Sequence, residues 1–434
     1  MRGRRYRFAT VAIVERTGGN TSPSPHRIVE RRTEYRILGG LMGTSALGGL
    51  GQLIGLTGTA LLIEELLGSK TFIGTGNFAM MAGTALGASL LTRRLGKNRR
   101  RPTLIGGYLI GAIGGVVIGL AARWQWYPLV LVGLAMFGFG NTASQQSRFA
   151  AADVVPDARR GRAMSIVVWA STIGVVFGPK LWGPSGRLMA HFGIPELGGA
   201  YIVGGGVYVL AAVTCWLVIR PDPREISRAV RAEASVLPKV DVRACLRRPS
   251  LQLALLTLVI GQIVMVAVMS VTSVHLHDHG YSADAIGTVI SGHVLGMYAP
   301  SPVSGWLIDR IGRIPVLVGG CVVLIAGSML SALSQPGNHA LMIVALFVLG
   351  VGWNANFVAG STLVTDSALP EERPRIQAIS DSATFLASGS ASLLAGFALQ
   401  WSSYSAMGVS SACIAALCGV LTLAYGPALR RTAT

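Results

Sequence analysis

Residues 305–313 read GWLIDRIGR. Gly305, Asp309, Arg310, Gly312 and Arg313 form a short polar island between two apolar runs, 283–308 and 314–334. Each run is long enough to cross a bilayer, which takes about 20 residues. The island therefore reads as a tight turn between two membrane helices. Its glycines permit the turn, and the Asp309 carboxylate is placed to accept from backbone N–H groups and to pair with an arginine of a neighbouring helix.

The rest of the chain agrees with a membrane reading. Of its 434 residues 51% are hydrophobic and only 13% charged, with a mean hydropathy of +0.55, a profile far from that of a soluble domain. Fifty-six glycines suit helices that pack closely in lipid. Besides the two runs above, crossing segments fall at 37–63, 69–92, 102–122, 127–149, 163–185, 197–219, 251–275, 339–362, 376–399 and 404–427, the second being the weakest. The predicted fold is thus all-α and polytopic, with twelve transmembrane helices in two six-helix bundles. Residues 1–35 form a basic, disordered tail, 36–219 the first bundle, 220–250 a linker with one short surface helix, 251–429 the second bundle, and 430–434 the C-terminus.

A net charge of +18 would point to nucleic acid only if the basic residues made a folded patch. Instead 33 of the 37 Lys and Arg lie in the tail, in alternate loops and at the C-terminus. By the positive-inside rule, tail, linker and C-terminus are cytoplasmic in a multi-pass protein of the cell membrane, and the charge needs no anionic partner. The seven-residue stretch FATVAIV at 8–14 lacks a cleavage site after it, so no signal peptide is read there. Cys215, Cys245, Cys321, Cys413 and Cys418 form no CxxC pair and read as isolated thiols. With no soluble catalytic domain and no phosphate-binding Walker loop, the sequence implies neither an enzyme nor a bound cofactor. The expected partners are the bilayer and a small substrate, taken up by a monomer.

The halves look related. Asn141 and Asn354 are 213 residues apart, as are Asp153 and Asp366, and similar segments follow the two aspartates. A parallel six-plus-six repeat is the internal symmetry of a two-bundle secondary transporter. GWLIDRIGR resembles the loop signature of the major facilitator superfamily, GxLxDRxGR. The resemblance implies a latch at Asp309 that favours one of two rocking states. The corresponding loop of the first half, SLLTRRLGKNRRR, departs from the pattern: Arg93 falls where the acid should be and Ser89 where the first glycine should be.

The stretch 265–297 holds three Met and four His. Met265 and Met269 share one face of the seventh span, and His293 and Met297 repeat the spacing in the eighth. At about 1.5 Å per residue, Met265 and His293 reach equal depths if the two spans face each other as a hairpin. The loop residues His275, His277, Asp278 and His279 would then stand at the mouth as a weaker entry set. Thioether and imidazole donors favour soft Cu(I), although Met pairs also fill cores. An ionisable group at mid-membrane is by default a functional hypothesis. MxxxM followed by HxxxM resembles the CcoA-like copper importers of the superfamily. That resemblance implies copper uptake into the cytoplasm, with Met265, Met269, His293 and Met297 as ligands. The competing reading is a proton-coupled exporter of drugs or lipophilic cations. GVVFGPKLWGP in the fifth span, with Gly174, Gly178, Pro179 and Gly183, resembles the Gly-Pro signature of such exporters. Asp381 would then carry the proton, or else pair with nearby Arg375.

Overall fold

The structure is a computed structural model that describes residues 31–94, 99–155, 159–230, 241–334, 338–369 and 372–431. Most of the tail, part of the linker and the last three residues lie outside these. Sixteen α-helices are described: α1 (Arg31–Leu56), α2 (Thr59–Leu67), α3 (Ile73–Arg94), α4 (Arg101–Arg123), α5 (Tyr127–Val154), α6 (Arg160–Ala190), α7 (Glu196–Val218), α8 (Pro223–Val230), α9 (Val242–Leu246), α10 (Pro249–Asp278), α11 (Ala283–Tyr298), α12 (Ser301–Ile311), α13 (Arg313–Leu333), α14 (His339–Asp366), α15 (Arg373–Leu399) and α16 (Tyr404–Arg431). They make twelve crossings, so Arg31 and Arg431 lie on one side, called here the terminal side; the opposite is the far side.

Ten of the described crossings are long and apolar enough by composition alone. The two that fall short are α3, the weakest span in the sequence, and the α11–α12 crossing, which breaks at Ala299–Pro300. Pro300 and Pro302 each remove a backbone donor and crowd the preceding turn, so the run 283–308 is two helices rather than one. The first crossing also breaks: the Thr57 hydroxyl bonds back to the Leu53 carbonyl at 2.6 Å, and α2 restarts after Gly58. The described part of α1 reaches back to Arg31, inside what reads as tail. Among its described residues the linker carries two short helices, α8 and α9, where one was expected. Asp222 at its start is buried and accepts from the backbone N–H groups of Arg100 and Arg101 at 2.9 Å each. It thereby satisfies orphan donors at the start of α4.

Within the first bundle α1 packs against α5, α6 and α7, and α4 against α5 and α7. Within the second, α13 packs against α14 and α16, and α10 against α14, α15 and α16. Glycines set how near these helices come. A Cβ on Gly174 of α6 would fall inside the Ala46 carbonyl of α1, and one on Gly83 of α3 inside the Ala135 carbonyl of α5. The small residues of GVVFGPKLWGP therefore serve helix packing.

The repeat shows most sharply in four ion pairs at the terminal-side ends of helices. Arg100 Nε holds Asp153 at 2.8 Å, and Arg313 Nε holds Asp366 at 2.8 Å. The arginines, like the aspartates, are 213 residues apart. The second set is also repeated, with its charges exchanged. Glu34 on α1 binds Arg159 through contacts of 2.7 and 3.1 Å. In the other half Arg248, just before α10, binds Glu372, just before α15, at 2.6 and 3.0 Å. Both are two-contact guanidinium–carboxylate pairs, the geometry that gains most from pairing. The Arg248 guanidinium and the Leu369 N–H hold the Glu372 carboxyl down to about 2, so this pair is lost only as pH falls towards that value. Because the second half already runs the pair in reverse, the double exchange Glu34→Arg with Arg159→Glu should keep the melting temperature close to wild type. Either single change, leaving two like charges together, should lower it by several degrees. Thermal unfolding of the detergent-solubilised protein reads the difference.

Candidate functional site: a cavity between the bundles

The bundles meet along α3–α15 and α6–α11, and their seam is tightest on the far side. A Cβ on Gly74 of α3 would fall inside the Ser392 carbonyl of α15, and one on Gly287 of α11 inside the Pro179 carbonyl of α6. Ion pairs close the same side: Lys70 with Asp278, and Arg187 with Asp284 at 3.2 Å. Thr71 adds a hydrogen bond to Gln400 at 3.0 Å. Next to the seam lies a cavity of about 330 Å³, running from Ile73 and Ser392 to Arg148 and Asp381 and drawing its wall from both bundles.

Its wall is mainly apolar but carries a set of uncharged polar groups. Five amides line it (Gln52, Asn77, Asn141, Gln145 and Gln262), with several hydroxyls and the rings of Tyr298, Trp353, Phe357 and Phe385. Trp353 and Phe357, one turn apart on α14, stack at 4.8 Å and 12°, and Trp353 Nε1 donates to Gln262 Oε1 at 2.9 Å. Two charges face the cavity, and they neutralise each other: Arg148 Nη2 donates to Asp381 Oδ2 at 2.6 Å, joining α5 to α15. Asp381 thus pairs across the bundles and not with Arg375, the neighbour in sequence. Arg148 lies in α5, near the terminal-side end of the span read at 127–149.

Met265, Met269, His293 and Met297 all line this one cavity. The lengthwise hairpin expected of the seventh and eighth spans is absent, since α11 packs on α14 and α6 while α10 packs on α14, α15 and α16. The four side chains are brought together by the cavity rather than by a shared helix face. His293 is almost fully buried, and its Nδ1 lies 2.7 Å from the Leu346 carbonyl of α14. A carbonyl only accepts, so Nδ1 carries the hydrogen and Nε2 of the neutral ring is a bare acceptor. That short reach depends on two glycines. A Cβ on Gly296 would fall inside the Phe347 carbonyl, and one on Gly350 would come within 2.5 Å of the His293 carbonyl.

The proposed entry residues lie elsewhere. His275, His277 and Asp278 belong to the last turns of α10, not to a loop, because the helix continues to Asp278. The His275 ring stacks on Tyr404 at 4.2 Å, His279 Nδ1 bonds the His275 carbonyl at 2.7 Å, and Asp278 is tied to Lys70. Among the described residues no three His, Cys, Asp or Glu side chains cluster to hold a metal, and the cysteines are free thiols. In the signature stretch, Gly312 has φ +88, a value that requires glycine, whereas Gly305 sits inside α12 with open space around it. Arg313 makes its ion pair with Asp366, and Arg310 lies over the Trp306 ring at 5.2 Å. Asp309 is exposed and has no ion pair among the described residues, so the expected pairing is not formed in this conformation.

Twelve crossings in two related bundles, with a cavity at their interface and a seam closed on one side, have the architecture of a membrane transporter. The chain belongs to the major facilitator superfamily: the Major Facilitator Superfamily model matches residues 40–282 and 254–433. The uncharacterized MFS-type transporter YddS of Bacillus subtilis (strain 168) is 30% identical over 382 residues, 87% of this chain and 88% of that protein. The riboflavin transporter RfnT of Brucella anthropi is 28% identical over 330 residues, 76% of this chain and 79% of its own. Among solved structures, the nucleoside transporter NupG aligns with a TM-score of 0.70 at 14% identity, covering 91% of this chain and 98% of that one. A bacterial homologue of the human lysosomal transporter Spinster, inward-facing and occupied, aligns with a TM-score of 0.69 at 15% identity, covering 92% and 98%.

A side chain at the far-side seam should prop it open. Gly287→Val places branched carbons where the Pro179 carbonyl sits. A cysteine at Met269, in a background without native cysteines, should then react with membrane-impermeant maleimide from the far side several-fold faster than in the glycine parent. Equal rates would show that the seam does not gate the cavity.

Proposed function

We propose that the chain is a secondary active transporter of a small, uncharged, planar organic solute, carried by alternating access. The observation that carries this reading is the cavity wall: amides, hydroxyls and a stacked indole–phenyl pair, with its only two charges paired to each other. Hydrogen-bonding walls with aromatic surfaces are what organic ligands use, and about 330 Å³ lies within the range of small-molecule pockets. The similarity to a riboflavin transporter over three quarters of the chain is in keeping with it. A free acid would favour an exported lipophilic cation, and the one carboxylate in the lining already holds Arg148.

Copper remains the second reading, favoured by one specific observation: the bare Nε2 of His293 shares its cavity with three thioethers. Proteoliposomes holding the purified protein separate the two readings. Riboflavin flux should exceed that of empty vesicles, and Trp353→Ala should reduce it about tenfold, the loss expected when a stacking surface goes. Met265→Leu preserves volume and costs little in packing, so it should leave flux within about threefold. Cu(I) flux abolished by Met265→Leu and by His293→Ala, with no riboflavin flux, would establish the copper reading instead.

We further place the terminal side in the cytoplasm, from the distribution of Lys and Arg, and assign Asp309 a latch in the opposite rocking state. Cys245 is buried, so the exposed position Arg243 on α9 is the better reporter. In intact cells an impermeant maleimide should label His277→Cys and spare Arg243→Cys; the reverse pattern would invert the topology.

A further inference from the structure

Three side chains that line the cavity each carry one buried atom with no hydrogen-bond partner: Arg148 Nε, His293 Nε2 and Ser270 Oγ. Buried polar groups are nearly always paired, and an unpaired one is costly. Three of them around one cavity mark where the complementary groups of a ligand belong, and each has a definite chemistry. His293 Nε2 is an acceptor, because Nδ1–H is committed to Leu346. Arg148 Nε is a donor, its Nη2 being committed to Asp381. Ser270 can act either way.

Their heights order them along the cavity. His293 lies ten residues from the far-side end of α11, and Arg148 lies 21 residues from that end of α5. At about 1.5 Å per residue these are depths of about 15 and 31 Å, so the acceptor and the donor stand roughly 15 Å apart along the membrane normal. Trp353, fourteen residues from the far-side end of α14, falls between them at about 21 Å. The cavity thus offers, in order from the far side, an acceptor, an aromatic platform and a donor. The Arg148 end is already neutralised by Asp381, and a carboxylate or phosphate on the ligand would be repelled by that acid.

We propose that the carried molecule is an elongated heteroaromatic with a ring imide or lactam N–H at one end and an uncharged tail of hydroxyls or carbonyls at the other. The N–H donates to His293 Nε2, the ring lies on Trp353, and the tail accepts from Arg148 Nε. This rests on the organic-solute reading above and narrows it to one class with a fixed polarity.

The test uses the full chain in detergent and three flavin probes followed by fluorescence quenching: riboflavin, its N3-methyl derivative, and lumichrome, which keeps the imide but lacks the hydroxylated chain. Wild type should bind N3-methylriboflavin at least about tenfold more weakly than riboflavin, since one buried hydrogen bond is lost and its acceptor left unpaired. His293→Phe should bind the two with equal affinity, and Arg148→Gln should erase the preference for riboflavin over lumichrome. Equal affinity of wild type for riboflavin and its N3-methyl derivative overturns the proposal while leaving the organic-solute reading standing; this comparison needs no variant and holds if a variant fails to fold. A preference that survives in His293→Phe overturns the assignment to that residue. Failure of wild type to bind any of the three overturns both the proposal and the reading beneath it.

Discussion

The seam of glycines between α3 and α15 and between α6 and α11 is the constraint on which the rest depends. Gly74 and Gly287 let backbones touch where any side chain would hold them apart, and an apolar cluster drawing Ile73 and Trp182 from one bundle and Ala391 and Ala395 from the other helps to close the far side. In lipid there is no hydrophobic force between helices, so close backbone approach, dispersion and a few polar ties must do the joining. The ion pairs that accompany the seam, Lys70–Asp278 and Arg187–Asp284, are partly exposed, and such pairs contribute only about 0–1 kcal/mol each. A seam made of contact and weak charge pairs can part without breaking any helix, as a rocking transporter requires. The stronger two-contact pairs, Glu34–Arg159 and Arg248–Glu372, lie within bundles. They stiffen each bundle as a body and leave the joint between bundles soft.

The same economy of backbone spacing builds the site. Because Gly296 and Gly350 bring α11 onto α14, His293 reaches a carbonyl of the neighbouring helix and its ring is fixed. One nitrogen is consumed by the fold and the other is left without a partner. Arg148 is treated likewise, with one face on Asp381 and an unpaired Nε. A side chain anchored on one atom and unpaired on another is preorganised for recognition, because its orientation is set before the ligand arrives.

Much of this is legible in the sequence. Hydropathy locates the crossings to within a few residues, except where Pro300 splits the eighth and Thr57 with Gly58 bends the first. The 213-residue repeat is visible at Asn141 and Asn354, and His293 is conspicuous as an imidazole in an apolar run. Arg148 falls inside the span read at 127–149, but its role is hidden because its partner is 233 residues away. The aromatic platform is concealed for another reason: WNANF at 353–357 places two rings one turn apart, which in any span reads as packing. Aligning the two halves on the signature loop sets Arg93 opposite Asp309, whereas the ion pairs align Arg100 with Arg313. The charge-exchanged pairs defeat sequence comparison altogether, since Glu34 and Arg248 share a role and not a sign.

The central claim is that the cavity receives a planar organic molecule on Trp353 rather than a metal ion among the thioethers. A cryo-EM map of the protein saturated with riboflavin, compared with one of protein incubated with Cu(I), tests this most directly. The account predicts flat density stacked on Trp353, with its imide edge at His293 Nε2, in the first map and an unchanged cavity in the second. A single-atom peak ligated by Met265, Met269 and His293 in the copper map, with no ligand density in the flavin map, would contradict it.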